Sequence, residues 1–244
     1  AIAKRPILHD ITLDCAAGQV LAIVGPNGSG KTTLLRALTG DLPYKGSARL
    51  NGAEIAGVRA ADLAALRGVL AQSTQIAFPF TVLEIVRLGL TGGGDARALA
   101  ALERVGLSGF AGRLVQELSG GEQARVHLAR VLAQIWEPVT GQGPRWLFLD
   151  EPVAALDIGH QLTVMRLARS FADAGGGVVA VMHDLNLSAM FANRMALIVG
   201  GRLAASGHPS EVLTDDHLSC AYGCPLRVNR APSTGPWLVP QAVV

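Results

Sequence analysis

The chain has 244 residues, half of them apolar, and a formal charge of +2. That length allows one large or two small domains with a real core, and so slight a charge argues against nucleic acid or a strongly anionic surface as partner. No run is long and charge-free enough to span a bilayer, Lys4-Arg5-Pro6 leads straight into a folded pattern instead of a leader, and the scattered Cys15, Cys220 and Cys224 read as free thiols rather than a zinc site, so a soluble cytosolic domain is expected.

In chain order, Ile7 to Asp14 alternates loosely and predicts a strand that stops at Ala17-Gly18. Val20-Leu21-Ala22-Ile23-Val24 is a buried strand, and Leu34 to Leu38 a helix stopped by Gly40 and Pro43. Ser47 to Leu50 and Asn51-Gly52 predict a strand and a tight turn. Asp62 to Arg67 is a short helix and Val69-Leu70-Ala71 a strand ending at Gln72. Thr81 with Glu84 three residues on forms a capping box that opens a helix. The glycine triplet before Asp95 is a break, and helix resumes from Ala96 to Val105.

Ser119 and Glu122 repeat the capping-box spacing at the start of a helix that runs to about Gln134. Pro138, Gly141, Gly143 and Pro144 make Glu137 to Arg145 a loop. Trp146-Leu147-Phe148-Leu149 has the continuous apolarity of a central parallel strand, ending in Asp150-Glu151-Pro152. A helix follows Asp157, with Val164, Ala168 and Phe171 on one face, then a buried strand from Val178 to Met182 that ends at His183. Met195 to Val199, Gly200-Gly201 and Arg202 to Ala205 read as a hairpin, Ser210 to Leu213 as a short helix, and the rest as irregular.

The chemistry concentrates in Gly25-Pro26-Asn27-Gly28-Ser29-Gly30-Lys31-Thr32-Thr33, a strand–turn–helix junction with the G-x-x-x-x-G-K-[ST] spacing of a phosphate-binding loop. Glycines let backbone N–H groups form an anion nest, and the helix start adds free donors and a positive dipole end. Lysine is scarce here (Lys4, Lys31 and Lys45 only), so Lys31 at the required place weighs against a merely glycine-rich turn. Lys31 would reach the β- and γ-phosphates and Thr32 would offer its hydroxyl to Mg²⁺. Asp150 ends an apolar strand, as a Mg²⁺-holding carboxylate does after such a loop. Glu151, fixed by Pro152, sits where a carboxylate would polarise an attacking water. Ser119-Gly120-Gly121 at a helix start reads as a simple capping box or as a second anion site, and the two readings are compatible.

Taken in order, residues 25–33, Gln72, 118–122, Asp150-Glu151, 155–157 and His183 resemble the ATP-binding cassette (ABC) ATPases over nearly the whole chain. The resemblance implies an α/β fold: one domain with a P-loop, RecA-like core and antiparallel β subdomain (about 1–72 and 118–244) and an inserted α-helical subdomain (about 73–117). It implies a head-to-tail homodimer with two ATP at the interface, each held by one P-loop and by Ser119, Gly120 and Gly121 of the other subunit. Thr32, Gln72 and Asp150 would arrange Mg²⁺, Glu151 would be the general base, His183 would clamp the γ-phosphate, and Asp157 would lie in the loop linking the two sites. The other histidines match nothing in the family. The family's adenine-stacking aromatic would fall near Ile2 or Ala3, where none stands, so either it precedes residue 1 or adenine packs on aliphatics.

Residues 78–89 and 182–187 look like the importers of iron-siderophores, haem and cobalamin. The loop 137–145 and residues 152–161 are most similar to the haemin-uptake ATP-binding subunits. The partners implied are an integral membrane permease dimer and, indirectly, a periplasmic substrate-binding protein, with no nucleic acid. The place implied is peripheral, on the cytoplasmic face of the bacterial inner membrane. Phe78 and Phe80 are either the surface that meets the permease or subdomain core. Siderophore or cobalamin import stays an alternative cargo. DNA-repair and translation ABC proteins, with long coiled coils or two cassettes, and P-loop kinases, which lack the Ser-Gly-Gly signature, fit the sequence less well.

Overall fold

A computed structural model of the chain describes residues 6–72, 78–90, 92 and 94–239. Its centre is a six-stranded sheet built on β1 (Val20–Val24), β4 (Arg67–Leu70), β7 (Trp146–Asp150), β8 (Gly177–Val181), β9 (Arg194–Val199) and β10 (Arg202–Gly207). Their order is β10-β9-β1-β8-β7-β4. All neighbours run parallel except β10, which returns antiparallel along β9. The short hairpin pair β2 (Arg49–Leu50) and β3 (Ala53–Glu54) stands apart, turned by Asn51 and Gly52, both at positive φ.

The interior strands are buried at every position and apolar at all but Asp150, because both faces are covered. Alternation still sorts their side chains. Val20, Ala22, Val24, Leu147, Leu149, Val178 and Ala180 point into one core. Leu21, Ile23, Trp146, Phe148, Val179 and Val181 point into the other. The second core is closed by Leu34 and Leu35 of α1 (Lys31–Leu38) and by Leu63 of α2 (Ala60–Leu66). The first is closed by α5 (Gly120–Gln134), α6 (Ile158–Asp173) and α7 (Leu185–Phe191), with α3 (Val82–Arg87) and α4 (Gly94–Arg104) packed against α5. The helix after β1 therefore covers one face, and those after β7 and β8 the other. Between β1 and β8 the connections diverge, which opens a crevice at the carboxyl ends of the strands.

Several expectations need correction. Ile7 to Asp14 forms no strand: Asp10 sits at φ 47, which breaks the extended run, and the recorded backbone bond there is His9 N–H to the Gly201 carbonyl, 2.8 Å. That break also shifts the parity, so Leu8, Ile11 and Leu13 pack on the core while Ile7 does not. Glu137 to Arg145 is no plain loop. It folds into a two-stranded hairpin, β5 (Val139–Thr140) and β6 (Gly143–Pro144), tied down by Asn51 Nδ2 donating to the Pro144 carbonyl. The region after Leu213 is not all irregular, since Thr214 caps α9 (Asp215–Tyr222), which follows α8 (Pro209–Val212). Helix α4 starts at Gly94, two residues before the expected Ala96. Ile2 and Ala3, Ser73 to Ala77, Thr91 and Gly93 lie outside the described residues. Among those described, no helix is long and apolar enough to cross a membrane.

Candidate functional site

Four neighbouring strands deliver the site. The glycine loop follows β1, Asp150 and Glu151 end β7, His183 stands two residues past β8, and Gln72 two past β4. A cleft of about 510 Å³ lies there, lined by Ile7, Asn27, Gly28, Gly30, Lys31, Thr32, Thr33, Gln72, Glu151 and His183, with Asp150 buried behind Thr32.

The loop's shape depends on its first glycine. Gly25 has φ 145, and a β-carbon there would lie 2.1 Å from the Ile198 carbonyl oxygen, so only glycine lets the loop leave β1 beside β9. Helix α1 begins after Gly30 (φ 102), which supplies no side-chain cap. The first turn bond runs from Leu34 N–H to the Gly30 carbonyl, 2.8 Å, and leaves the amides of Lys31, Thr32 and Thr33 without an intrahelical acceptor. Lys31 Nζ donates to the Gly25 and Pro26 carbonyls at 2.9 and 3.0 Å. The ammonium is thus held across the mouth of its own loop. Burial depresses its pKa, against the opposing pull of Glu151 and Asp150. Ser29 Oγ is buried and has no hydrogen-bond partner among the described residues.

On the other side of the cleft, Thr32 Oγ1 donates to Asp150 Oδ1 at 3.1 Å. Asp150 is buried, and desolvation raises its carboxyl above the usual range, with the Thr32 hydroxyl acting in the opposite sense. Glu151 adopts φ 52, a left-handed conformation that is costly for a residue with a β-carbon. Its backbone N–H donates to the Val181 carbonyl, 3.1 Å. Its two carboxylate oxygens are both engaged: Gln72 Nε2 donates to Oε2 at 2.8 Å, and His183 Nε2 lies 2.6 Å from Oε1. Gln72, expected beside Mg²⁺, is therefore hydrogen-bonded to Glu151 and not to the Thr32–Asp150 pair.

Ser119, Gly120, Gly121 and Asp157 do not line this cleft. Ser119 caps α5, its Oγ and N–H both donate to Glu122 Oε2 at 2.8 and 2.7 Å, and the Glu122 N–H donates back to Oγ. Gly121 packs against the next loop, where a β-carbon would sit 3.0 Å from the Ala155 carbonyl oxygen. Asp157 caps α6 by accepting from His160 N–H at 2.9 Å, which holds its carboxyl below the ordinary range. Of the two phenylalanines, Phe78 is 69% exposed and Phe80 packs on the core, as one of the two expectations for the pair has it.

Sequence reasoning missed Ile7 as a cleft residue. The signal was the adjacent pair Ile7-Leu8, of which an extended chain can bury only one against a given core.

The ABC transporter family profile matches residues 8–154. The chain is 62% identical over 235 residues to the "Hemin import ATP-binding protein HmuV" of Jannaschia sp. (strain CCS1), covering 95% of this chain and 87% of that one. It is 59% identical over 235 residues to the protein of the same name in Roseobacter denitrificans, covering 95% and 90%. Among solved structures, it matches a dimeric bacterial ABC transporter cassette at TM-score 0.73 and 28% identity, over 83% of this chain and 90% of that one. It also matches a bacterial Atm1-family ABC exporter with ATP bound at TM-score 0.77 and 29% identity, over 89% of this chain and 38% of that one.

Proposed function

This chain belongs to the ABC transporter family, and we propose that it is the ATP-hydrolysing subunit of a haem importer. The observation that carries the reading is the convergence of Lys31, Asp150, Glu151, His183 and Gln72 at the ends of four adjacent strands. The names of relatives with 59–62% identity carry the choice of haem as cargo.

In this reading the free amides of α1 and the Lys31 ammonium take the β- and γ-phosphates of ATP. The donor set suits Mg²⁺. One carboxylate, Asp150, and one hydroxyl, Thr32, already lie within hydrogen-bond distance, and Mg²⁺ habitually completes its shell with waters and phosphate oxygens. The ion would neutralise charge building on the transferred phosphoryl group. Glu151 takes a proton from the attacking water, and His183 and Gln72 orient it for that task. Each partner occupies one lone pair on one carboxylate oxygen, so Glu151 keeps lone pairs free to accept a proton.

The signature residues Ser119, Gly120 and Gly121 do not line the chain's own cleft, and in this reading a second copy brings its own set to ATP. We propose a head-to-tail homodimer that closes on ATP and reopens after hydrolysis, with Asp157 in the loop between the sites. The helical arm, 73–117, would transmit the motion to a membrane permease dimer, with exposed Phe78 on the contact surface. A periplasmic haem-binding protein would deliver the cargo, and the subunit would sit peripherally on the inner membrane's cytoplasmic face. The test is ATP turnover by the assembled transporter in vesicles offered haem, a ferric siderophore or cobalamin in turn. Haem alone should stimulate hydrolysis. Stimulation by another cargo with none by haem would overturn the cargo assignment, and no Mg²⁺-dependent turnover under any condition would overturn the ATPase reading.

A further inference from the structure

Among the described residues that line the cleft, none comes from 152–161, yet this segment leads directly out of Glu151. Glu151 sits at φ 52, and a residue with a β-carbon stays in that region only where its surroundings over-determine it. On the strand side its N–H is fixed to the Val181 carbonyl at 3.1 Å. On the other side the chain leaves the sheet through a turn in which Ala154 and Ala155 are exposed. The backbone bonds inside that turn are at the long end of the range. Ala154 N–H lies 3.3 Å from the Glu151 carbonyl, and Leu156 N–H 3.2 Å from the Val153 carbonyl. The local backbone alone therefore holds Glu151 weakly from that side.

Gln161 supplies the missing hold. It stands in the first turn of α6, where its N–H donates to the Asp157 carbonyl at 2.8 Å, so its own backbone is fixed. From there its half-buried side chain reaches back to the turn. Nε2 donates to the Leu156 carbonyl at 3.0 Å and to the Val153 carbonyl at 3.3 Å. One amide group thus ties together the two carbonyls that bracket Ala154 and Ala155. Helix α6 needs nothing from this amide, since the Asp157 side chain already caps it. The turn rests against α5 as well, because a β-carbon on Gly121 would lie 3.0 Å from the Ala155 carbonyl oxygen. Pro152, with its φ fixed by the ring, leaves little slack between Val153 and Glu151. A shift of the Val153 carbonyl is therefore passed on to Glu151.

We propose that Gln161 is a positioning residue for Glu151: its amide, tied to the Val153 and Leu156 carbonyls, holds the turn that keeps the Glu151 carboxylate in place. The inference rests on the reading of Glu151 as the general base. Gln161 lies outside the cleft lining, so its loss acts on the chemical step and leaves nucleotide affinity alone.

The test is steady-state ATP turnover by the assembled transporter, with calorimetric titration by ADP counting the binding sites in each preparation. Gln161→Met keeps the length of the side chain and loses both donors. It should lower kcat by about ten- to a hundredfold while KM for ATP stays within about twofold of the parent. Gln161→Lys, whose ammonium still donates, should recover kcat to within about threefold of the parent. Equal losses in the two variants would show that the side chain acts by its bulk and not by donation, and would overturn the proposal. An unchanged kcat in Gln161→Met, or a loss confined to KM, overturns it too. Glu151→Gln, measured alongside, separates the two readings. Near-parent turnover there refutes the general base and takes this inference with it. A strongly impaired Glu151→Gln beside a normal Gln161→Met leaves the base standing and Gln161 without this role.

Discussion

Two helices in this chain open on glycine-rich turns, and their first turns are built in opposite ways. Helix α1 starts after Gly30 with no side-chain cap, and a lysine reaches back across the loop. Helix α5 starts after Ser119 with a complete capping box, and Glu122 accepts both the Ser119 hydroxyl and its N–H. The first start keeps its donors and its positive dipole end available. The second has already spent one donor pair on a carboxylate of its own. The Ser119 hydroxyl and N–H lower the Glu122 pKa, so the charge is firmly in place. A phosphate approaching α5 meets a negative neighbour, whereas one approaching α1 meets Lys31. In the proposed dimer the asymmetry would give a division of labour, with α1 gripping nucleotide first and α5 joining once the rest of the grip has been made.

The largest effects belong to the first start and its acid–base flank. Lys31→Ala should abolish nucleotide binding in titration. Glu151→Gln should keep binding, since glutamine still bonds Gln72 and His183, but phosphate release should fall by about 10²–10⁴-fold. If Glu151→Gln turns over at near the parent rate, the base lies elsewhere and the open start is only a binding site.

A smaller effect tests the strain in that open start. Burial raises the Asp150 pKa and lowers that of Lys31, so without nucleotide both charges are held at a cost. For a carboxylate whose folded pKa is raised, the favourable contribution is present below the unfolded pKa and lost as pH rises through the folded one. Asp150→Asn removes that loss and still accepts from Thr32. At neutral pH the nucleotide-free variant should therefore melt about 2–4 °C higher, for roughly 1 kcal/mol, while ATP turnover disappears. The gap should shrink as pH falls into the acid range. A variant that melts lower than the parent at pH 7 would show that Asp150 stabilises the empty site.

Much of this was legible in the residues. Strand β7 opens as Trp-Leu-Phe-Leu because a strand covered on both faces needs apolar groups along its length, and the capping boxes at Thr81 and Ser119 have a spacing fixed by helix geometry. The pairing of Gln72 with Glu151 was not legible, since it depends on β4 and β7 being sheet neighbours although 79 positions separate the two residues. The place of Ile7 in the cleft was hidden because Asp10 leaves the extended region, whereas a strand would put Ile7 on the same side as Ile11 and Leu13. The hairpin at Val139–Pro144 was masked by residues that usually mark loops; Asn51, far away in sequence, supplies the bond that holds it.

The smallest effect bears directly on the closed start. Ser119→Ala removes the cap from α5 and should destabilise the chain by about 1 kcal/mol, read as a lowered denaturation midpoint. Glu122→Gln is the sharper change. Glutamine can fill the same place in a capping box, so stability should fall by no more than about 1 kcal/mol. The negative charge at the helix start is gone, however, and a helix-end charge is worth about 0.3–1 kcal/mol. In the Glu151→Gln background, where ATP is bound but not consumed, light scattering should find the dimer at ATP concentrations about two- to fivefold lower once Glu122 is also neutral. An unchanged ATP requirement would mean that the Glu122 carboxylate has already swung away when the partner's phosphate arrives, and the two helix starts would then differ only in the unliganded chain.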